Sequence, residues 1–121
     1  MGTQASTVLL DLHGQGLELM RELDLAGGVW RVSAIEELRG LPQNTVVLLA
    51  VKAETEIQQH RALLRAYPTV VIGMGLGPRS WSFAKMLGAS GYVHDAAGTV
   101  ALRSDLEQQL NNMAERTWRA N

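Results

Sequence analysis

Two short stretches of the 121-residue chain combine residue types that could do chemistry. Asp11 and His13 follow one aliphatic run, and His94 and Asp95 follow another. A carboxylate can hold a cation, but hard cations need several oxygen ligands, and a histidine can act as a base only where a reacting group converges on it. Because no nucleophile lies near either stretch in the sequence, capping and hydrogen-bonding roles are the simpler interpretation of these side chains.

A third stretch is the glycine-rich turn Gly73-Met74-Gly75-Leu76-Gly77, which precedes a helical pattern. Backbone amides in such a turn can cradle an anion, so Gly73, Gly75 and Gly77 are candidates for an effector site. The spacing differs from the dinucleotide-binding fingerprint, and no Gly-Lys-Ser/Thr sequence occurs. A flexible turn without a ligand is the competing interpretation.

Composition excludes several functional classes. Eleven basic and twelve acidic residues give a formal charge of -1, so there is no basic excess to neutralise the phosphates of a nucleic acid. The absence of cysteine excludes disulfides and thiol catalysis. The longest apolar run, Val46–Val51, is far shorter than the ~20 residues of a membrane span, and Met1–Ser6 lacks the features of a signal peptide. We therefore expect a cytoplasmic protein that is not an enzyme and holds neither a metal nor a cofactor.

Alternating strand and helix patterns indicate the fold class. Continuous aliphatic runs favour strands buried on both faces, and each run is followed by apolar residues at helical spacing. The predicted strands are Thr7–Leu10, Val29–Val32, Thr45–Val51, Thr69–Ile72 and Gly91–Val93. The helical positions are Leu17, Met20 and Leu23; Ile35 and Leu38; Ile57, Leu64 and Tyr67; Trp81, Ala84 and Leu87; and Val100, Leu102, Leu106, Leu110 and Met113.

Five strand–helix units predict one α/β domain over residues 1–121, a doubly wound, flavodoxin-like parallel sheet in the order 2-1-3-4-5. The third helical pattern predicts a single helix over Glu54–Tyr67. In a sheet of this kind ligands bind at the carboxyl ends of the strands, which is where the candidate residues fall.

In order and spacing, these motifs resemble the receiver domain of bacterial response regulators, especially the LuxR/NarL type. Leu9-Leu10-Asp11-Leu12-His13 is similar to the family's first strand and acidic pair, and Val46–Val51 is similar to its third strand. Arg65–Ile72 resembles the approach to its fourth strand. Leu87–Val93 resembles the approach to its fifth strand, in which Tyr92 matches an aromatic switch residue.

The resemblance implies a pocket in which an acidic pair and a phosphoacceptor aspartate hold Mg²⁺, with a hydroxyl residue and a lysine nearby. Asp11 matches the first acid, but Leu12 replaces the second, Ala50 the phosphoacceptor and Gly73 the hydroxyl residue, and Asp95 lies nearest the position of the lysine. Phosphoryl transfer needs a carboxylate nucleophile and a cation on the phosphate oxygens. These five residues therefore predict a vestigial phosphoacceptor pocket in a phosphorylation-independent pseudo-receiver.

The family binds partners or dimerises through its fourth helix, fifth strand and fifth helix. The corresponding interaction face here would contain Trp81, Met86, Tyr92, Leu102 and Leu106. Relatives of this type carry a DNA-binding domain after the receiver, whereas this chain stops at residue 121. The resemblance implies a two-component signalling domain, either the regulatory part of a transcription regulator or a stand-alone adaptor, that dimerises or binds a protein or small effector.

A second resemblance leads to a different class. Asp11-x-His13-x-x-Gly16 is similar to the motif of cobalamin-binding corrinoid proteins, in which the histidine ligates cobalt. Those domains share the α/β architecture. Against this alternative, the third strand ends in Leu49-Ala50-Val51 without the expected Ser-x-Leu, and Asp11 directly abuts the first strand.

Overall fold

A computed structural model describes residues 7–23 and 29–120; for Leu17 and for residues 114–120 it describes only the backbone. The chain forms a five-stranded, all-parallel sheet in the order β2-β1-β3-β4-β5, as predicted. The strands are β1 (Thr7–Leu10), β2 (Val29–Val32), β3 (Val46–Val51), β4 (Thr69–Gly73) and β5 (Gly91–His94). Their bounds lie within one residue of the predicted runs.

Helices connect the strands on both faces of the sheet. They are α1 (Gly16–Glu22), the one-turn 3₁₀ helix (Ile35–Leu38), α2 (Glu54–Gln59), α3 (Arg61–Ala66), α4 (Ser80–Met86) and α5 (Thr99–Ala120). The 3₁₀ helix is the only helical turn that the described residues place between β2 and β3. The helix over Ile35 and Leu38 is therefore shorter than a regular crossover helix.

The prediction of a single helix over Glu54–Tyr67 is wrong, because the helix is interrupted at His60, which separates α2 from α3. The backbone N–H of His60 bonds to the carbonyl of Ile57, three residues back, instead of continuing the regular ladder. The Nδ1 atom of His60 lies 2.8 Å from the carbonyl oxygen of Glu56 and gives that oxygen a hydrogen-bond partner in place of the backbone N–H of His60. A side chain that bonds to the preceding turn thus competes with the helix itself.

Both faces of the sheet are buried, which explains the continuous aliphatic runs of the strands. Val8, Leu10 and Val47 face one core cluster, and the alternate residues Leu9 and Leu48 face the other. The α5 helix closes the second cluster with three buried residues. These are Leu102, Leu106 and Met113.

One of the apolar positions predicted for the last helix is wrong, since Val100 is 76% exposed instead of buried. It lies in the first turn of the helix, two residues before the first buried position. Trp118, at the other end of the helix, lies outside the described side chains, as does Leu17 in α1. Within residues 7–23 and 29–120, no helix combines the length and the apolar character that crossing a membrane requires.

Candidate functional site

A small cavity lies at the carboxyl ends of β1 and β3, where the fold predicts a site. The register pairs Leu10 with Leu49, which brings the following residues, Asp11 and Ala50, side by side. Both line the cavity together with Leu12, so the structure brings these three predicted pocket residues together. Its volume is only about 30 Å³. That is room for about one water molecule.

The carboxylate of Asp11 is buried and already engaged. Its Oδ1 accepts the backbone N–H of Gln15 at 3.0 Å, and its Oδ2 lies 3.3 Å from Nη1 of Arg31 on the edge strand. The first contact ties Asp11 to Gln15, the residue that precedes α1, and so gives the carboxylate a structural role. Among the described residues, no group of three His, Asp or Glu side chains is placed to hold a metal ion.

Gly16 explains how Asp11 and Arg31 come so close to the start of α1. A methyl group at Gly16 would lie 2.7 Å from both Oδ2 of Asp11 and Cδ of Arg31. The glycine therefore makes room for the ion pair. It has this packing role whether or not the Asp-x-His-x-x-Gly spacing has any further meaning.

His13 is a hydrogen-bonded loop residue, as the sequence indicates. Its Nε2 lies 2.7 Å from Oε2 of Glu56, and the other oxygen of Glu56 accepts the backbone N–H groups of Lys52 and Ala53. Glu56 thus joins the loop after β1 to the loop after β3. With Nε2 of His13 engaged and a cavity of about 30 Å³ beside it, the cobalamin alternative is not favoured.

The remaining two predicted pocket residues, Gly73 and Asp95, lie around the glycine-rich turn and do not line the cavity. Met74, which belongs to the glycine-rich turn, does line the cavity beside Asp11. The Oδ1 atom of Asp95 accepts the backbone N–H of Gly75 at 2.9 Å, and the backbone N–H of Asp95 donates to the carbonyl of Gly73. Gly75 has a φ of 75°, which favours glycine. The predicted anion-binding turn therefore already holds a carboxylate of the chain itself.

Tyr92 fills the space beside Gly73. Its hydroxyl donates to the carbonyl oxygen of Gly77 at 2.8 Å, and a methyl group at Gly73 would collide with that hydroxyl. The ring stacks on Trp81, with centroids 6.2 Å apart, and on His94, with centroids 5.9 Å apart. Only 8% of Tyr92 is exposed, so the ring is held inward on all sides.

Burial raises the pKa of the Tyr92 phenol above its ordinary value. The nearby carboxylates of Glu54 and Asp95 raise this pKa further, whereas a hydrogen bond with Ser80 opposes the shift. The single hydroxyl proton of Ser80 is donated to Oε2 of Glu54 at 2.8 Å, which ties the start of α4 to α2. The phenol is therefore a neutral hydrogen-bond donor throughout the physiological pH range.

The predicted interaction face is exposed only in part. Met86 is 74% exposed and Trp81 is partly exposed, but Leu102 and Leu106 are fully buried in the core and Tyr92 is nearly so. Leu102 and Leu106 were placed wrongly on this face, because α5 turns them toward the sheet. We call the surface that remains the α4 surface: Trp81, Met86 and an adjoining groove of about 220 Å³ that is also lined by His94 and Gln109.

Sequence reasoning missed two residues that shape the site, Arg31 and Glu56. Arg31 interrupts the aliphatic run Val29-Trp30-Arg31-Val32, and a lone charge in a strand signals a partner on the neighbouring element. Glu56 stands three residues after the N-cap residue Ala53, the position from which an acid bonds back to the helix start. Both signals were present, but neither names the partner.

Comparison with known proteins agrees with the fold. No model of a protein family and no curated protein matches the sequence. A solved CheY-like protein, TadZ from Pseudomonas aeruginosa, is 21% identical with a TM-score of 0.60, covering 88% of this chain and 99% of that chain. The ShkA Rec1 domain in complex with c-di-GMP is 19% identical with a TM-score of 0.53, covering 86% and 91%. A Chloroflexus aurantiacus protein assigned to the response regulators is 16% identical with a TM-score of 0.61, covering 93% and 99%.

At these identities the likeness shows the fold alone. The chain has the CheY-like, flavodoxin-like architecture of receiver domains, with the strand order that the sequence predicts.

Proposed function

We propose that this chain is a signalling domain of the receiver type that works without phosphorylation, as a protein-interaction module. The observation that carries the proposal is the state of Asp11. Among the described residues it is the only acid that lines the cavity, it is buried, and it pairs with Arg31 beside the methyl group of Ala50. Phosphoryl transfer to a receiver needs a free carboxylate nucleophile and a divalent cation held by several oxygens. The cavity offers neither.

Two contacts within the chain already pair the charged groups at this edge of the sheet. Arg31 presents a cation to Asp11, and Asp95 presents an anion to the backbone amide of Gly75. Both are charge-assisted interactions of groups that the chain always carries. They support a domain in which the charged groups at the carboxyl ends of the strands keep the same partners at all times.

The output surface in this proposal is the α4 surface. Tyr92 is fixed inward by Gly77, Trp81 and His94, so the groove beside it keeps one shape. An exposed tryptophan that lines a preformed groove is a typical anchor for a protein partner, and Met86 is a second exposed apolar side chain on the same helix. We therefore propose that a protein partner binds at the α4 surface. DNA contact and a LuxR/NarL-type role in transcription would come only from another domain.

A small-molecule effector has less support. The ShkA Rec1 domain was solved with c-di-GMP, a ligand with two negative charges. Neither Lys nor Arg is among the residues that line the 220 Å³ groove here, and its charged residue is Asp105. Its chemistry is thus wrong for a dinucleotide. The cavity at Asp11 has a volume of about 30 Å³, which is room for about one water molecule.

The proposal is tested by amide NMR spectra recorded during titration with Mg²⁺ and beryllofluoride, a mimic of the phosphoryl group. We expect the amides of Asp11, Ala50 and Gly73 to stay in place, and sedimentation to show the same association state with and without the additives. Saturable shifts at those three amides would contradict the proposal. A c-di-GMP titration in the same samples tests the effector alternative, which predicts shifts at Trp81 and His94.

A further inference from the structure

A second exposed apolar surface lies at the other edge of the sheet, around the edge strand β2. Trp30 on that strand is 64% exposed, and Ile35 at the start of the 3₁₀ helix is also exposed. A groove of about 260 Å³ runs between the 3₁₀ helix and α3, with Leu38, Leu63 and Tyr67 in its lining. We call Trp30, Ile35 and this groove the β2 surface.

Local sequence explains why this surface is open. Between β2 and β3 the described chain forms one turn of 3₁₀ helix, where a doubly wound sheet normally has a full helix. On the other wall of the groove α3 contributes the small residues Ala62 and Ala66. An exposed tryptophan next to a preformed apolar groove is unusual on a surface that binds nothing.

Trp30 does not enter the groove of its own chain. Strand alternation puts Trp30 on the same face of the sheet as Val32, which packs against the cluster that contains Leu38 of the 3₁₀ helix. The groove lies between that helix and α3, and Trp30 is not among the described residues that line it. Trp30 is therefore available to enter the groove of a second copy related by a two-fold axis.

The charges at the rim obey the same symmetry. Glu36 and Arg39 are both exposed and both line the groove, and side chains three residues apart in a 3₁₀ helix eclipse one another. Two antiparallel copies of this helix bring Glu36 of each copy to Arg39 of the other. The rim is thus complementary to itself, which favours a second copy over an unrelated partner.

We propose that the β2 surface is a symmetric dimer interface, in which Trp30 of each copy enters the groove of the other and Glu36 pairs with Arg39 across the axis. The interface is separate from the α4 surface and leaves it open. A dimer built in this way presents two α4 surfaces, one from each copy, to its protein partners.

Sedimentation velocity over a concentration series tests the interface on the intact chain. The wild type should dimerise, and Trp30→Ser should raise the dimer dissociation constant by about thirtyfold or more, as loss of a hot-spot anchor does. Val100→Ser, at an exposed apolar position of α5 outside both surfaces, is the matched control and should leave the constant unchanged. A chain that stays monomeric at all concentrations, or a dimer lost in Trp81→Ser, on the α4 surface, and kept in Trp30→Ser, overturns the proposal; the second result would leave the proposed function intact.

A charge swap tests the pairing without touching the apolar residues. Glu36→Arg and Arg39→Glu should each weaken the dimer by about tenfold, since each sets like charges against one another across the axis. The double variant restores both pairs and should dimerise like the wild type. Because both residues are exposed, the folding of these variants can be verified by circular dichroism. Additive weakening in the double variant would exclude the pairing.

Discussion

The hydroxyl of Tyr92 occupies the space that any side chain at Gly73 would need. The resemblance to receiver domains implies a hydroxyl residue at the position of Gly73. Here the glycine leaves room for the aromatic ring to turn inward and bond to Gly77. The absence of a side chain at Gly73 and the inward position of Tyr92 are thus parts of one packing arrangement.

This packing predicts a strong coupling between the two residues. Gly73→Ala should destabilise the domain by about 1–3 kcal/mol, the usual cost of overpacking, because the added methyl meets the Tyr92 hydroxyl. Tyr92→Phe in the same chain removes that hydroxyl and should recover part of the loss in urea unfolding. Gly77→Ala is the matched control, since a methyl group there meets nothing within 4 Å. If Gly73→Ala costs the same with and without the hydroxyl, the packing is not as described.

The raised pKa of Tyr92 predicts a specific loss of stability at alkaline pH. The native chain keeps the phenolic proton at pH values where the unfolded chain has lost it. The stabilisation is complete below the ordinary tyrosine pKa of about 10 and disappears as the pH rises through the raised value. The free energy of unfolding of the wild type should therefore fall relative to that of Tyr92→Phe above about pH 10. Parallel pH curves for the two proteins would contradict a buried Tyr92.

The Asp11–Arg31 pair predicts a measurable loss when its cation is removed. Arg31→Met keeps the apolar stem but leaves a buried carboxylate without a counter-charge, which should cost about 1–2 kcal/mol in urea unfolding. Arg61→Met, at an exposed position of α3, is the control and should have little effect. Asp11→Asn added to Arg31→Met should recover part of the loss. Equal stability of the Arg31 and Arg61 variants would show that the ion pair contributes nothing.

The position of Arg31 beside Asp11 leads to a prediction about an engineered metal site in this cavity. Leu12→Asp with Ala50→Asp places three carboxylates around one cavity, but Arg31 still holds Asp11. We expect Mg²⁺ to bind this double variant weakly, and on the order of tenfold more tightly once Arg31→Ser is added, as measured by calorimetry. The wild type and the Arg31→Ser single variant serve as controls. No gain on removing Arg31 would mean that the guanidinium does not occupy the cation's place.

Most of the fold could be predicted from the sequence because its signals are local. Aliphatic runs of four to six residues mark the strands, and the alternation with helices dictates a parallel sheet. The prediction of one helix over Glu54–Tyr67 is wrong because hydrophobic periodicity carries no information on side-chain hydrogen bonds. The side chain of His60 bonds to the preceding turn and interrupts the helix. The prediction of Leu102 and Leu106 as surface residues is wrong, because the apolar side of α5 that contains them packs against the sheet.

The site was harder, because its key contacts join residues that lie far apart in the sequence. Asp11 and Arg31 are twenty residues apart, as are Gly75 and Asp95. Composition shows that a charge is present but not which partner it meets. The sequence shows directly that Ala50 carries no carboxylate, whereas the contacts of Asp11 with Arg31 and of Gly75 with Asp95 are visible only in the three-dimensional arrangement.

The central claim is that this pocket carries out no phosphoryl chemistry, and intact-mass spectrometry tests it most directly. The chain is incubated with acetyl phosphate and Mg²⁺ and measured beside a receiver domain that accepts phosphate. We expect the mass to stay that of the unmodified chain, because the cavity holds one carboxylate and Arg31 already neutralises it. A phosphoryl group found on Asp11 or Asp95 would contradict the account.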